Sequence, residues 1–179
     1  MSTAKRKGLI LVNTGNGKGK TTAALGMALR AWGQGMKVLI LQFIKGGWKY
    51  GELKAARKLA PDFEIRQMGE GFIKGEDDSS LGEHRHAARQ ALETARKEIA
   101  SDRYDLIILD EVLYAIYYGL IKLDDVLELL GQKPEKLHLV LTGRNAPPQI
   151  IERADLVTEM REVKHPFTQG IAAQKGIEY

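Results

Sequence analysis

Residues 9–22 read LILVNTGNGKGKTT. Leu9 to Val12 is an unbroken apolar run, Asn13 to Gly19 places glycine at positions 15, 17 and 19, and Lys20 leads into the Ala- and Leu-rich stretch Thr21 to Trp32, which stops at Gly33 and Gly35. A buried strand running through a glycine turn into a helix is the setting of a Walker A loop. The glycines let successive N–H groups converge on one phosphate, the helix N-terminus adds its dipole, Lys20 neutralises charge, and the Thr21 hydroxyl can reach a magnesium ion. The strict pattern carries glycine where this chain has Thr14; Gly15, Gly17 and Gly19 supply the flexibility instead.

Working outward, the strand at Gly8 to Val12 is joined by apolar stretches at Lys37 to Phe43, Phe63 to Met68, Leu106 to Leu109 and Leu137 to Leu141, with Leu156 to Met160 a weaker sixth. The core stretches are continuous rather than alternating, which predicts strands buried on both faces and therefore a mostly parallel sheet with helices on both faces. Between them the spacing predicts helices at Leu81 to Ala100, Val112 to Tyr118, Leu123 to Leu130 and Pro148 to Arg153. Ser80 followed by Glu83 has the spacing of a capping box, and Pro147-Pro148 opens the last helix. Strand and helix alternate without repeat or linker, so residues 1–179 read as a single α/β domain, a P-loop NTPase-like sheet of five or six strands. Two loops, Ile44 to Gly51 and Gly69 to Ser79, are longer than connection requires, and long loops at strand ends are where ligands sit in such folds.

Composition agrees. With 179 residues, 44 % hydrophobic and 28 % charged, the chain is an ordinary globular length and mixture. The absence of Cys excludes a disulfide framework, a thiolate metal site and a Cys nucleophile, and fits a cytoplasmic protein. No apolar run approaches the ~20 residues of a membrane helix, and Lys5, Arg6 and Lys7 precede no cleavable signal, so no membrane association is expected. The formal charge of +4 suits an anionic partner. The few aromatic residues are dispersed along the chain without interleaved basic residues, which argues against nucleic acid.

Leu106 to Leu109 ends in Asp110 and Glu111, the form of a Walker B element that holds a divalent ion against the nucleotide phosphates. The two carboxylates compete for that role, because neighbouring side chains on a strand point to opposite faces. Arg144, at the end of Leu141-Thr142-Gly143-Arg144, can offer phosphate a planar, permanently charged fork. Lys45 and Lys49 and Arg30 are weaker phosphate candidates. His84 and His86 sit two apart on a helix and do not share a face, so they predict no metal site.

Taken together, Thr14 to Thr22, the QFIKG of Gln42 to Gly46 with Trp48 and Gly51-Glu52, Gly71-Phe72, Leu109 to Glu111, Thr142 to Arg144, Val163 to His165 and the final GIEY of Gly176 to Tyr179 resemble the P-loop corrinoid adenosyltransferases. The likeness runs over about residues 8 to 179. It implies a RecA-like sheet, a homodimer, and transfer of the 5'-deoxyadenosyl group of ATP to the cobalt of a reduced corrinoid with release of triphosphate, in adenosylcobalamin synthesis or salvage. ATP is then bound with its phosphates reversed through the loop relative to other P-loop proteins.

Carried onto this chain, the resemblance places Asn16 near the nucleoside and Gly15, Gly17, Lys18, Gly19, Lys20, Thr21 and Thr22 around the phosphates. Thr21 and Glu111 fall on magnesium (or manganese), and Arg30 and Arg144 in the polyphosphate region. Lys20, Arg144 and Phe72 become the catalytic residues, Phe72 by displacing the lower ligand of the corrinoid so that an electron donor such as a reduced flavoprotein can reduce cobalt. The family pairs that Phe with a Trp, whereas this chain has Lys74. Few residues precede the first strand, where longer members carry a segment that caps the partner's site. The competing readings are a P-loop ATPase or kinase yielding ADP, and an ATP-dependent nucleic-acid-binding module.

Overall fold

A computed structural model describes residues 7–47, 50–71, 73 and 80–179. Strand β1 (Ile10–Thr14) leads into helix α1 (Lys20–Gly33), then β2 (Val38–Gln42), α2 (Gly51–Leu59), β3 (Phe63–Gln67), α3 (Leu81–Ala100), β4 (Leu106–Asp110), α4 (Val112–Tyr117) and α5 (Leu123–Gly131). The chain continues through β5 (His138–Thr142), α6 (Pro148–Arg153) and β6 (Leu156–Glu159) to a 3₁₀ turn at Pro166–Gln169. The six strands form one sheet in the order β3-β2-β4-β5-β1-β6. Every pairing is parallel.

All five residues of β1, β2 and β4 are buried, which is why their sequences run apolar without alternation. The two faces still divide by parity. Val12, Leu41, Leu109 and Leu141 pack on Ala91 and Leu92 of α3, Leu113 of α4, Leu129 of α5 and Ile150 of α6. Leu11, Ile40, Ile108 and Val140 face α1 and α2 through Ala24, Ala28 and Ala56. Ala24 and Ala28 lie one turn apart, so α1 approaches the sheet closely at its phosphate-loop end. The expectation of a parallel sheet with helices on both faces holds.

Three details differ from the sequence reading. Strand β1 starts two residues late and runs on to Thr14, because Thr14 pairs with Glu159 and its carbonyl accepts from Met160 N–H at 2.8 Å. Thr14 thus stands in a strand conformation that needs no glycine. Ser80 precedes α3, but its side chain makes no capping bond; its carbonyl accepts from Glu83 and His84 N–H instead. Helix α2 begins where the long Ile44 to Gly51 loop ends, and the sequence reading has no element there. Strand β6 is exposed along its whole length, which explains its weak apolar pattern.

Candidate active site

A cavity of about 870 Å³ opens at the C-terminal ends of the strands, walled by the glycine loop, the start of α2, the β4–α4 turn, the loop after β5 and residues 176–179. The glycine loop is shaped by two constraints. Gly19 caps α1 with φ 111°, a left-handed conformation that disfavours a side chain. Gly17 is pressed against the chain beyond β6: its N–H donates to Met160 O at 2.7 Å, and a Cβ there would lie 2.7 Å from the Arg161 carbonyl carbon.

Lys20 is buried and donates to the carbonyls of Gly15 at 2.8 Å and Gly17 at 2.7 Å. Burial, with Arg144 adding, depresses its pKa against the opposing pull of Glu111 and Glu162. Lys18, Thr21, Thr22, Asn16 and Arg144 line the same cavity. Arg30 does not join them. It lies exposed in the last turn of α1, ten residues and about 15 Å along the axis from Lys20.

Asp110 and Glu111 turn out to have separate jobs. Asp110 is fully buried, and its Oδ1 accepts from the hydroxyls of Thr21 and Thr142, each at 2.8 Å. Its Oδ2 has no hydrogen-bond partner and faces Lys45 Nζ at 3.6 Å. Glu111 leaves the strand altogether: it takes φ 61° as the residue before α4, so strand alternation does not separate the two carboxylates. Its N–H donates to Thr142 Oγ1 at 2.9 Å, which fixes the turn. A left-handed glutamate is a sparsely populated conformation that costs on the order of 1 kcal/mol or more. Its carboxyl lines the cavity, where burial and then the Asp110 charge hold it above the usual carboxylate range.

Lys45 proves more central than its sequence suggests. Its ammonium pairs with Glu52 at 3.1 Å and stands 4.7 Å above the Tyr50 ring. Burial alone lowers its pKa, but Asp110 and Glu52 outweigh that and raise it. The lysine's loop is locked to the loop after β3. Gly69 N–H donates to Lys45 O at 3.2 Å and Gly71 N–H to Ile44 O at 2.8 Å. A Cβ on Gly46 would stand 1.7 Å from the Gly69 oxygen, so the two backbones touch.

The ATP:corrinoid adenosyltransferase BtuR/CobO/CobP family model matches residues 6–179. This chain belongs to that family. The adenosyltransferase is 40 % identical to the corrinoid adenosyltransferase of Escherichia coli K12 over 97 % of its own length and 86 % of the relative's. It is 43 % identical to that of Pseudomonas aeruginosa over 97 % and 84 %. Against the corrinoid adenosyltransferase CobA of Salmonella typhimurium it is 38 % identical over 98 % and 87 %.

The enzyme gathers around one cavity residues that the sequence scatters. Tyr50, Tyr114, Tyr117, Tyr118 and Tyr179, five of the six tyrosines, line it. The Tyr114 and Tyr118 rings lie 4.3 Å apart with a 33° tilt; Tyr117 meets Tyr118 edge-on at 5.1 Å. Burial, then Tyr118, pushes the Tyr114 hydroxyl up to about 12, while a backbone hydrogen bond from Ile73 pulls the other way. The α4 tyrosines recur at helical spacing after the Walker B pair, a signal the linear survey of aromatics passes over. Thr142, within the quoted Thr142 to Arg144, is missed as the hydroxyl joining Asp110 to Glu111. Phe72, Lys74, Trp48 and Lys49 lie outside the described residues.

Proposed function

We propose that the enzyme transfers the 5'-deoxyadenosyl group of ATP to the cobalt of a reduced corrinoid, with triphosphate as the leaving group. The observation that carries this reading is that one cavity is lined by both cations and aromatic rings. Lys18, Lys20, Lys45 and Arg144 line it together with Tyr114, Tyr117 and Tyr118. A polyphosphate and a large flat macrocycle are the ligands that suit these two kinds of side chain.

In this reaction cobalt is the nucleophile and the C5'–O5' bond of ATP breaks. The protein therefore needs no Ser, Cys or His nucleophile. Its task is to neutralise charge that grows on the departing triphosphate. Lys20 and the loop N–H groups from Gly15 to Thr22, apart from that of Gly17, which is taken by Met160 O, hold the phosphates, with Lys18 and Arg144 covering them from the mouth. Asn16, exposed at the loop's tip, lies toward the nucleoside. Arg30, exposed in the last turn of α1, stands away from this arrangement.

A divalent ion fits the donor set. Thr21 gives its hydroxyl proton to Asp110, which leaves its oxygen lone pairs free for a cation, and Glu111 brings the one acidic carboxylate of the β4–α4 turn that reaches the cavity. Among the described residues no three His, Cys, Asp or Glu gather into a cage. Magnesium, held by one or two protein oxygens with phosphates and waters completing its shell, suits such a site, and manganese can replace it. When bound, the ion neutralises triphosphate charge; Asp110 orients Thr21 for it and is not itself a ligand.

The rest of the proposal follows the resemblance. Phe72 displaces the lower ligand of the corrinoid before reduction by a donor such as a reduced flavoprotein. The exposed β6 edge, which carries Leu156 and Val157, offers the chain a surface for a homodimer. The protein works in the cytoplasm, without nucleic acid or membrane. Among the described residues no helix is long and apolar enough to cross a membrane. Incubation with ATP, magnesium and chemically reduced corrinoid tests the central claim: adenosylated corrinoid and triphosphate should form one for one. ADP and phosphate as the products would place the enzyme among phosphoryl-transfer P-loop proteins instead.

A further inference from the structure

Residues 176–179 cross the mouth of the phosphate cavity. A tight turn shapes them, with Gly176 N–H donating to Tyr179 O at 2.8 Å and Glu178 N–H to Gln174 O at 2.9 Å. On one side the Glu178 carboxylate meets Lys18 Nζ at 2.6 Å, its side chain 19 % exposed against 48 % for the lysine. On the other, Tyr179 reaches the start of α2, its carbonyl carbon 4.0 Å from where a Cβ on Gly51 would stand. The segment thus bridges the glycine loop and the opposite wall.

The charge placement is unusual for a strap. Each lysine of the cavity is held by a protein acceptor: Lys20 by two loop carbonyls, Lys45 by Glu52 with Asp110 behind it, and Lys18 by Glu178. Glu52 belongs to the first turn of α2, and Asp110, fully buried, to the end of β4. Glu178 alone sits on a segment lying across the opening, in ion contact with a loop lysine that a phosphate would also claim. A carboxylate in that place repels a polyphosphate unless it gives up Lys18.

We propose that Glu178 competes with the polyphosphate for Lys18, yielding it when ATP binds and retaking it as triphosphate leaves. This rests on the adenosyl-transfer reading for the identity of the product. The physical need is plain. The cations that stabilise a leaving triphosphate also hold the finished product, and a tethered anion that can take one of them back loosens the product without weakening the transition state in proportion. Glu178 is on this account a residue of binding and release that acts through Lys18.

Titration of inorganic triphosphate with magnesium into the full chain tests it, using wild type, Glu178→Gln, Lys18→Gln and the double variant. Glu178→Gln should tighten triphosphate binding about two- to fivefold at low ionic strength, the range expected for a partly exposed ion pair. The gain should shrink as salt is added. In the Lys18→Gln background the same substitution should do nothing, because the contested cation is gone. Unchanged or weaker binding in Glu178→Gln overturns the proposal, the weaker result making Glu178 a residue that positions Lys18. An equal gain in the Lys18→Gln background also overturns it, since the carboxylate then acts by general repulsion. Should triphosphate fail to compete with ATP on wild type, the adenosyl-transfer reading fails separately, and ATP titrated into the same four proteins still decides the contest for Lys18.

Discussion

Asp110 and Glu111 are neighbours with the same charge, yet the structure predicts that neutralising them has opposite effects on stability. In Asp110→Asn the bonds from Thr21 and Thr142, both 2.8 Å, persist as neutral ones. Charge-assisted bonds of about 1.5–3 kcal/mol become ordinary ones of about 0.5–1.5, so each loses about 1 kcal/mol. Two such bonds give about 2 kcal/mol, and at about 2–4 °C per kcal/mol for a domain of this length the melting temperature should fall about 4–8 °C. Lys45 loses its buried counter-charge as well. Glu111→Gln removes a carboxylate that burial and Asp110 already oppose, while keeping its shape, so its melting temperature should equal or exceed that of wild type. The order reverses for magnesium: the midpoint of activity against magnesium should rise more for Glu111→Gln, because of the two only Glu111 lines the cavity. Thermal melts and magnesium titrations of the two variants check both orders. A Glu111→Gln protein that melts as early as Asp110→Asn would refute the division of labour, and a larger magnesium defect in Asp110→Asn would reverse the metal assignment.

The same carboxyl sets a pH dependence. Because its folded-state pKa lies above the ordinary 4.5, folding takes up protons there, and wild type should lose stability relative to Glu111→Gln as pH rises from 4.5 until the folded carboxyl is ionised; melts of both proteins from pH 4 to 8 show whether that gap opens. Lys20→Ala should lose a charged phosphate contact worth about 1.5–3 kcal/mol, about 10- to 150-fold in a phosphate-dependent step, without unfolding. Unchanged ATP binding and turnover in a folded Lys20→Ala protein would remove the loop from the mechanism. Phe72→Ala should fail when the reaction starts from cobalt(II) with an electron donor and stay near normal with pre-reduced cobalt(I), whereas Lys74→Trp should improve the first assay alone; equal losses for Phe72→Ala in both assays would confine it to shaping its loop.

Most of the sheet is legible because its central strands lie between two helical layers, which leaves no polar position to interrupt Leu39 to Leu41 or Leu106 to Leu109. Helix α2 is hidden by the opposite circumstance. Only Ala56 is buried among its nine residues, and Glu52, Lys54, Arg57 and Lys58 dilute the spacing of Leu53, Ala56 and Leu59. At the site, the glycine loop is readable since its work is done by consecutive residues. Lys45, Glu52, Asp110 and Thr142 are brought together by the loop after β2, the first turn of α2 and the ends of β4 and β5, so no spacing announces them. Strand alternation misleads at Asp110 and Glu111 because a left-handed turn intervenes between them. Arg30 is near the loop in sequence, yet a straight helix carries it about 15 Å along the axis from Lys20.

The backbone contact between Gly46 and Gly69 also limits how this protein can be redesigned. The loop that carries Lys45 and the loop that leads toward position 72 share a seam with no room for a methyl group, so neither can be lengthened or given a side chain at its glycine without pushing on the other. A loop transplanted from a relative to change corrinoid preference therefore has to travel as a matched pair, residues 44–47 with residues 69–71. Moved alone, it would disturb the lysine that faces Asp110 on the nucleotide side of the cavity.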